Sequence, residues 1–188
     1  MKASADSDIR AVEQLLKTGA QVNSSDANGY TALHYAAHCG DIKVVQVLIK
    51  AGADIDSRTK QGVTPLMYSI DMMCGKPEIT LELIRAGAGV NEVDSQGNTA
   101  LHIATTESTN DVLEALLQKS ADPNVLSKAT GDRPLHVAAA NGLVDRVELL
   151  IRYGADPKLK NARGQTAIEV ANKRYPAIRR LLQTTRAR

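Results

Sequence analysis

The sequence predicts an all-α repeat solenoid of stacked helix-turn-helix units joined by β-hairpin-like loops. Three observations carry that expectation. The turn glycines Gly29, Gly62, Gly97, Gly131 and Gly164 are separated by 33, 35, 34 and 33 residues, and a near-fixed period of this size marks a stacked array. Each period holds two short apolar segments with helical spacing, too short to bury a core alone. The chain is 43% hydrophobic yet has no Trp, no Phe and only 3% aromatic residues. Thin repeats that bury Ala, Leu, Val and Ile against their neighbours need no large rings.

The units follow in order along a single domain, 1–188. Residues 1–23 form a partial unit. Ile9, Val12, Leu15 and Leu16 lie on one helical face, and Gly19 is placed to end that helix in the left-handed conformation. Only a remnant of a first helix precedes it, as in a half-cap or a piece of a longer protein. Full repeats are expected over 24–56, 57–91, 92–124 and 125–158, with a capping repeat over 159–188. In the first, Thr31 opens a short helix with Leu33, Ala36 and Ala37 inside; after Gly40, Ile42, Val44, Val45, Leu48 and Ile49 make a second. In the second repeat Pro65 suits the first turn of a helix, where its missing N–H costs nothing. Two extra residues, about Met72 and Met73, lengthen that repeat. In the third, Ser108 and Ser120 replace the inter-helix and closing glycines. Each change weakens the repeat by up to about 1 kcal/mol if the site needs positive φ. In the fourth, Arg133 stands where the others have Thr. In the last, Glu169 stands at the His position, and Arg179 and Arg180 are expected to face solvent, as a terminal cap requires.

Net charge is only +2, but residues 158–188 carry nine Lys or Arg against the single acid Glu169, leaving the rest of the chain at −6. Such asymmetry marks either an anionic partner or a solvated cap whose cations suit a helix C-terminus. Cys39 and Cys74 occupy equivalent inter-helix positions of adjacent repeats. Packed helices sit about 8–10 Å apart and a disulfide needs Cα atoms within about 7 Å, so two free thiols in a reducing compartment are expected. No apolar run approaches a membrane span, and residues 1–9 lack a signal-peptide core. The expected setting is intracellular and cytoplasmic, with the nucleus as an alternative.

One motif recurs: Thr31-Ala-Leu-His-Tyr-Ala36, Thr64-Pro-Leu-Met-Tyr-Ser69, Thr99-Ala-Leu-His-Ile-Ala104 and Arg133-Pro-Leu-His-Val-Ala138. With the helix endings Gly52-Ala-Asp and Gly154-Ala-Asp, it resembles the ankyrin-repeat family across nearly the whole chain. The resemblance implies that Thr31, His34, Thr64, Pro65, Thr99, His102, Pro134 and His136 are structural, each His bonding near the motif Thr and the turn. It also implies that hairpin fingers and first helices line a binding face. By position, that face offers Asn28, Tyr30 and His38 in the first repeat. The second offers Lys60, Gln61, Val63, Asp71 and Met72. Gln96 and Asn98 follow in the third, Thr130 and Asp132 in the fourth, and Arg163 in the fifth. Tyr35 and Tyr68, in equivalent positions, are expected to pack between repeats, whereas Tyr30 and Met72 are expected to meet a partner.

No catalytic constellation is expected. His34, His102 and His136 repeat one structural position rather than converging on a metal, and the adjacent His38 and Cys39 cannot face each other on a helix. No phosphate loop, nucleophile elbow or zinc motif occurs. The expected function is therefore a non-catalytic scaffold, monomeric on its own, without cofactor or metal, that binds another protein. Two alternatives are a regulatory segment of a larger protein, and a sensor of nucleic acid or phosphoinositide through Arg174, Arg179 and Arg180. The second ranks below protein binding because the array lacks aromatic stacking platforms.

Overall fold

The computed structural model describes residues 1–6, 8–70, 75–171 and 175–185. The described chain is all-α: twelve helices, with β pairing limited to single antiparallel bridges at Ser25–Thr31 and Lys160–Thr166. It forms two compact units, Met1–Ser95 and Gln96–Arg188.

The first unit contains α1 (Lys2–Ala5), α2 (Ile9–Lys17), α3 (Ala32–Cys39), α4 (Ile42–Lys50), α5 (Pro65–Tyr68) and α6 (Pro77–Arg85). The first helices α1, α3 and α5 pack in one row, and α2, α4 and α6 in a second row behind it. Local sequence explains each element. The Asp41 carboxylate caps α4 by accepting from the Lys43 N–H at 2.8 Å, which satisfies a donor that no helical carbonyl reaches. Val44, Val45 and Leu48 fill its inner face and are at most 2% exposed. Gly52, at φ +84°, turns the chain out of the helix, a conformation that costs glycine nothing.

The second unit repeats the plan with α7 (Ala100–Glu107), α8 (Asn110–Gln118), α9 (Pro134–Ala140), α10 (Val144–Arg152), α11 (Ala167–Val170) and α12 (Pro176–Thr185). Here α7, α9 and α11 form the first row, and α8, α10 and α12 the second. The core is aliphatic: Leu101, Leu113, Leu116, Leu150 and Ile178 are fully buried.

The two glycine replacements behave differently. Ser120 is the one described non-glycine residue at positive φ, +63°. Ser108 is extended at φ −129°, so its serine carries no backbone strain. Instead, Arg146 of α10 reaches across and donates to the carbonyls of Ala104, Thr105 and Ser108, closing the end of α7. In the first unit Lys76 similarly donates to the Gly40 carbonyl beyond α3, at 2.7 Å. Arg179 does the same for α11, donating to Ile168 O at 3.0 Å and Ala171 O at 3.3 Å. That corrects the expectation that Arg179 faces solvent: only Arg180 is exposed, and Arg179 is half-buried. A first helix of one or two turns leaves most of its last carbonyls without helical partners, and a cation satisfies several at once.

Candidate protein-interaction surface

Four of the fingers are built by a short polar side chain folded back on its own backbone. Asp26 Oδ1 accepts the N–H of Asn28 at 2.8 Å and of Tyr30 at 3.0 Å. Thr59 Oγ1 accepts Val63 N–H at 3.1 Å, and Ser127 Oγ accepts Thr130 N–H at 3.3 Å. Asn161 Oδ1 accepts Arg163 N–H at 3.0 Å and Gln165 N–H at 2.9 Å. The loops are thereby pre-shaped by side-chain turns. Neighbouring fingers are also stitched by backbone bonds. In the first unit Lys60 N–H donates to Asn28 O at 2.9 Å and Ser95 N–H to Gln61 O at 2.8 Å; in the second, Ala129 N–H donates to Gln96 O at 3.0 Å.

The motif residues hold these fingers to the helices. Thr31 N–H donates to His34 Nδ1 at 3.2 Å, so that nitrogen is the acceptor, and His34 Nε2–H donates to Val63 O of the next finger at 3.1 Å. Burial, partly offset by the bond to Val63, pushes the His34 pKa below its ordinary value. Thr99 N–H likewise donates to His102 Nδ1, at 3.2 Å. Glu169 does the histidine's work in the last repeat, accepting from Thr166 N–H at 2.6 Å and Thr166 Oγ1 at 2.8 Å. Thr64 caps α5 through the Met67 N–H at 3.3 Å, and Pro65 and Pro134 open their helices. His136 donates from Nε2 to Gln165 O at 2.8 Å. Its buried Nδ1 has no partner among the described residues, and Arg133 stands where the other repeats place a Thr hydroxyl beside that nitrogen. Burial also lowers the His136 pKa.

On the first unit the expected contact residues gather around an aromatic cluster. The ring of Tyr30 lies 5.6 Å edge-on from His34, 5.7 Å from Tyr35 and 5.1 Å from Tyr68. His38 stacks on Tyr68 at 4.3 Å, with planes 14° apart. Tyr30, Tyr35, His38 and Tyr68 are all half-buried. Tyr30 therefore does not project from a finger tip: it lies down on the first helices, so its truncation costs packing within the fold. Asn28, Lys60 and Gln61 are exposed beside the cluster, and Val63 is half-buried. Asp71 and Met72 lie outside the described residues.

On the second unit Gln96 and Thr130 are exposed and Asn98 is half-buried. Asp132 and Arg163 form an ion pair at 2.9 Å, and Asn161 Nδ2 also donates to Asp132, at 2.6 Å. These two expected contact residues spend their charges on each other. Of the three basic residues proposed for an anion site, Arg174 lies outside the described residues and Arg179 is committed to carbonyls.

Sequence reasoning passes over the contribution of Asp26 to this surface. Its Oδ2 accepts the Tyr35 hydroxyl at 2.7 Å. That bond, aided by backbone N–H groups and opposed by burial, holds its carboxyl below the ordinary value; the same bond raises the Tyr35 pKa. An open depression of about 270 Å³ is lined by Met1, Lys2, Asp26 and Tyr35. A legible signal existed: an acid at the first finger position followed nine residues later by a tyrosine. Separately, an apolar cavity of about 220 Å³ lies among Val12, Leu15, Leu16 and Leu48 and contains none of the expected site residues. None of the described helices is long and apolar enough to cross a membrane.

A family model for ankyrin repeats (three copies) matches residues 1–92, 55–127, 72–161 and 108–187. No curated protein sequence matches the chain. Among solved structures, a chain of the complex described as the Bd0816 predatory endopeptidase from Bdellovibrio bacteriovorus with immunity protein Bd3460 is similar, at 27% identity and a TM-score of 0.83. The match covers 97% of this chain and 95% of that one.

Proposed function

The chain belongs to the ankyrin-repeat family, and from that premise we propose that it is a non-catalytic scaffold that docks a partner protein on the fingers and first helices of residues 1–95. The observation that carries this reading is the half-buried cluster of Tyr30, Tyr35, His38 and Tyr68 flanked by exposed Asn28, Lys60 and Gln61. Tyrosine supplies a large contact area with little rotamer entropy to lose, and such rings ringed by polar groups are the usual makeup of an interface centre. Fingers already locked by side-chain and backbone bonds limit the ordering cost of binding. The similar chain from an endopeptidase–immunity protein complex supports a protein partner and makes a peptidase the first to try.

A photo-crosslinking residue placed at Gln61 tests the docking face, with Arg85 on α6 as the comparison site. A single partner captured from position 61 and not from position 85 supports the reading. Capture of the partner only from position 85 refutes it.

A further inference from the structure

We infer that the depression between Asp26 and Tyr35 receives a cationic side chain, an arginine or lysine, from the docked partner. This deepens the proposed docking of a protein on residues 1–95 and rests on it.

The first ground is that the Asp26 charge exceeds what the fold requires. The finger needs one acceptor oxygen at this position. Thr59, Ser127 and Asn161 supply it from neutral side chains at the corresponding places, so the turn itself needs no charge, although the third finger also carries an acid there, Asp94. Asp26 uses Oδ1 for that turn and keeps a full carboxylate, with Oδ2 aimed at Tyr35. The second ground is that this charge is unspent: among the described residues Asp26 forms no ion pair, whereas Asp132 on a later finger is neutralised by Arg163. The third is the surroundings. The carboxylate is half-buried beside the Tyr35 hydroxyl, and Tyr35 lines the depression with it; Tyr30, 5.7 Å from Tyr35, and Tyr68, 5.1 Å from Tyr30, adjoin that ring outside the lining. An ionised carboxylate beside an aromatic side chain is a combination that attracts a guanidinium or ammonium, through a charge-assisted hydrogen bond and through the ring quadrupole. Because the Tyr35 hydroxyl donates to Asp26, the carboxylate is held in place before any ligand arrives. Lys2 lines the same depression and opposes a second cation there.

The probe is a capped tripeptide with arginine at its centre, with the citrulline tripeptide as its uncharged counterpart. It is titrated into the intact chain while the tyrosine ring resonances are followed by NMR. The arginine peptide is expected to shift the Tyr30 and Tyr35 signals, and the citrulline peptide to bind about two- to fivefold more weakly, the size of one exposed cation–π contact. Asp26→Asn keeps the turn, as Asn161 does in its own finger, and is expected to remove that preference. Lys2→Ala is expected to tighten arginine binding. Equal binding of the two peptides, or an unchanged preference in Asp26→Asn, overturns the cationic occupant while leaving protein docking to the crosslinking test. No response at these tyrosines to either peptide also overturns it.

Discussion

Ser120 is the place where this chain departs from its own rule, and the cost of that departure can be measured. The residue that closes the second helix is Gly19, Gly52, Gly87 and Gly154 elsewhere, at φ between +84° and +95°. Ser120 occupies the same turn at φ +63°. Its N–H donates to Leu117 O and the next N–H, of Ala121, to Leu116 O, both at 3.0 Å, so the geometry is enforced by the helix end. A non-glycine residue pays about 1–2 kcal/mol for this conformation. Glycine recovers that but loses about 0.5–1 kcal/mol through its freer unfolded chain. Ser120→Gly is therefore expected to stabilise the protein by about 0.5–1 kcal/mol, or roughly 1–4 °C in Tm for a chain of this length. Two companions isolate the cause. Ser120→Ala removes the hydroxyl but keeps the strain, so its Tm should lie below that of the glycine variant. Gly154→Ser imposes the strain where a Cβ meets nothing within 4 Å, and should lower Tm by a similar amount. Thermal unfolding by circular dichroism reads all three. If Ser120→Gly fails to exceed Ser120→Ala while Gly154→Ser is harmless, the backbone reasoning is refuted.

Two further predictions concern polar groups inside the stack. Arg146→Ala strips three carbonyls at the end of α7 of their donor and should cost about 1–3 kcal/mol; Arg146→Lys should restore only part, since an ammonium lacks the guanidinium fork, and urea titration would show equal midpoints for the two variants if the fork were irrelevant. His34 and His136 hold protons less readily when folded than their ordinary 6.5, so the unfolded state binds more protons on acidification. Stability is thus complete above about pH 6.5 and falls as pH drops through and below that value; a urea midpoint unchanged between pH 7.5 and pH 5.5 would contradict the buried neutral tautomers.

The family and the helices were legible because they rest on local rules. A Thr that caps a helix three residues before a His, an Asp that caps α4 and a glycine that closes it each act within one turn of chain. Repetition then multiplied a weak signal into a strong one. The candidate surface was legible only in part. Tyr30, His38, Lys60 and Gln61 could be assigned to one face by position. That Tyr30 lies among three other rings could not, because ring packing depends on side chains 4 to 38 residues apart in the sequence.

What the sequence by itself determined is the repeating unit: its period, its caps, its aliphatic interior and its two rows of helices. These follow from spacing and from backbone groups that must find partners nearby. What only the tertiary structure decided is how charge is spent between helices and loops, within a repeat and across repeat boundaries. Arg179 reads as a surface cation but, like Arg146, closes a neighbouring helix end, and Asp132 reads as a contact residue but pairs with Arg163. Asp26 reads as an ordinary turn residue, yet it keeps its charge against a tyrosine. Long side chains reach to whichever partner the packing brings within about 3 Å, and no local pattern encodes that choice.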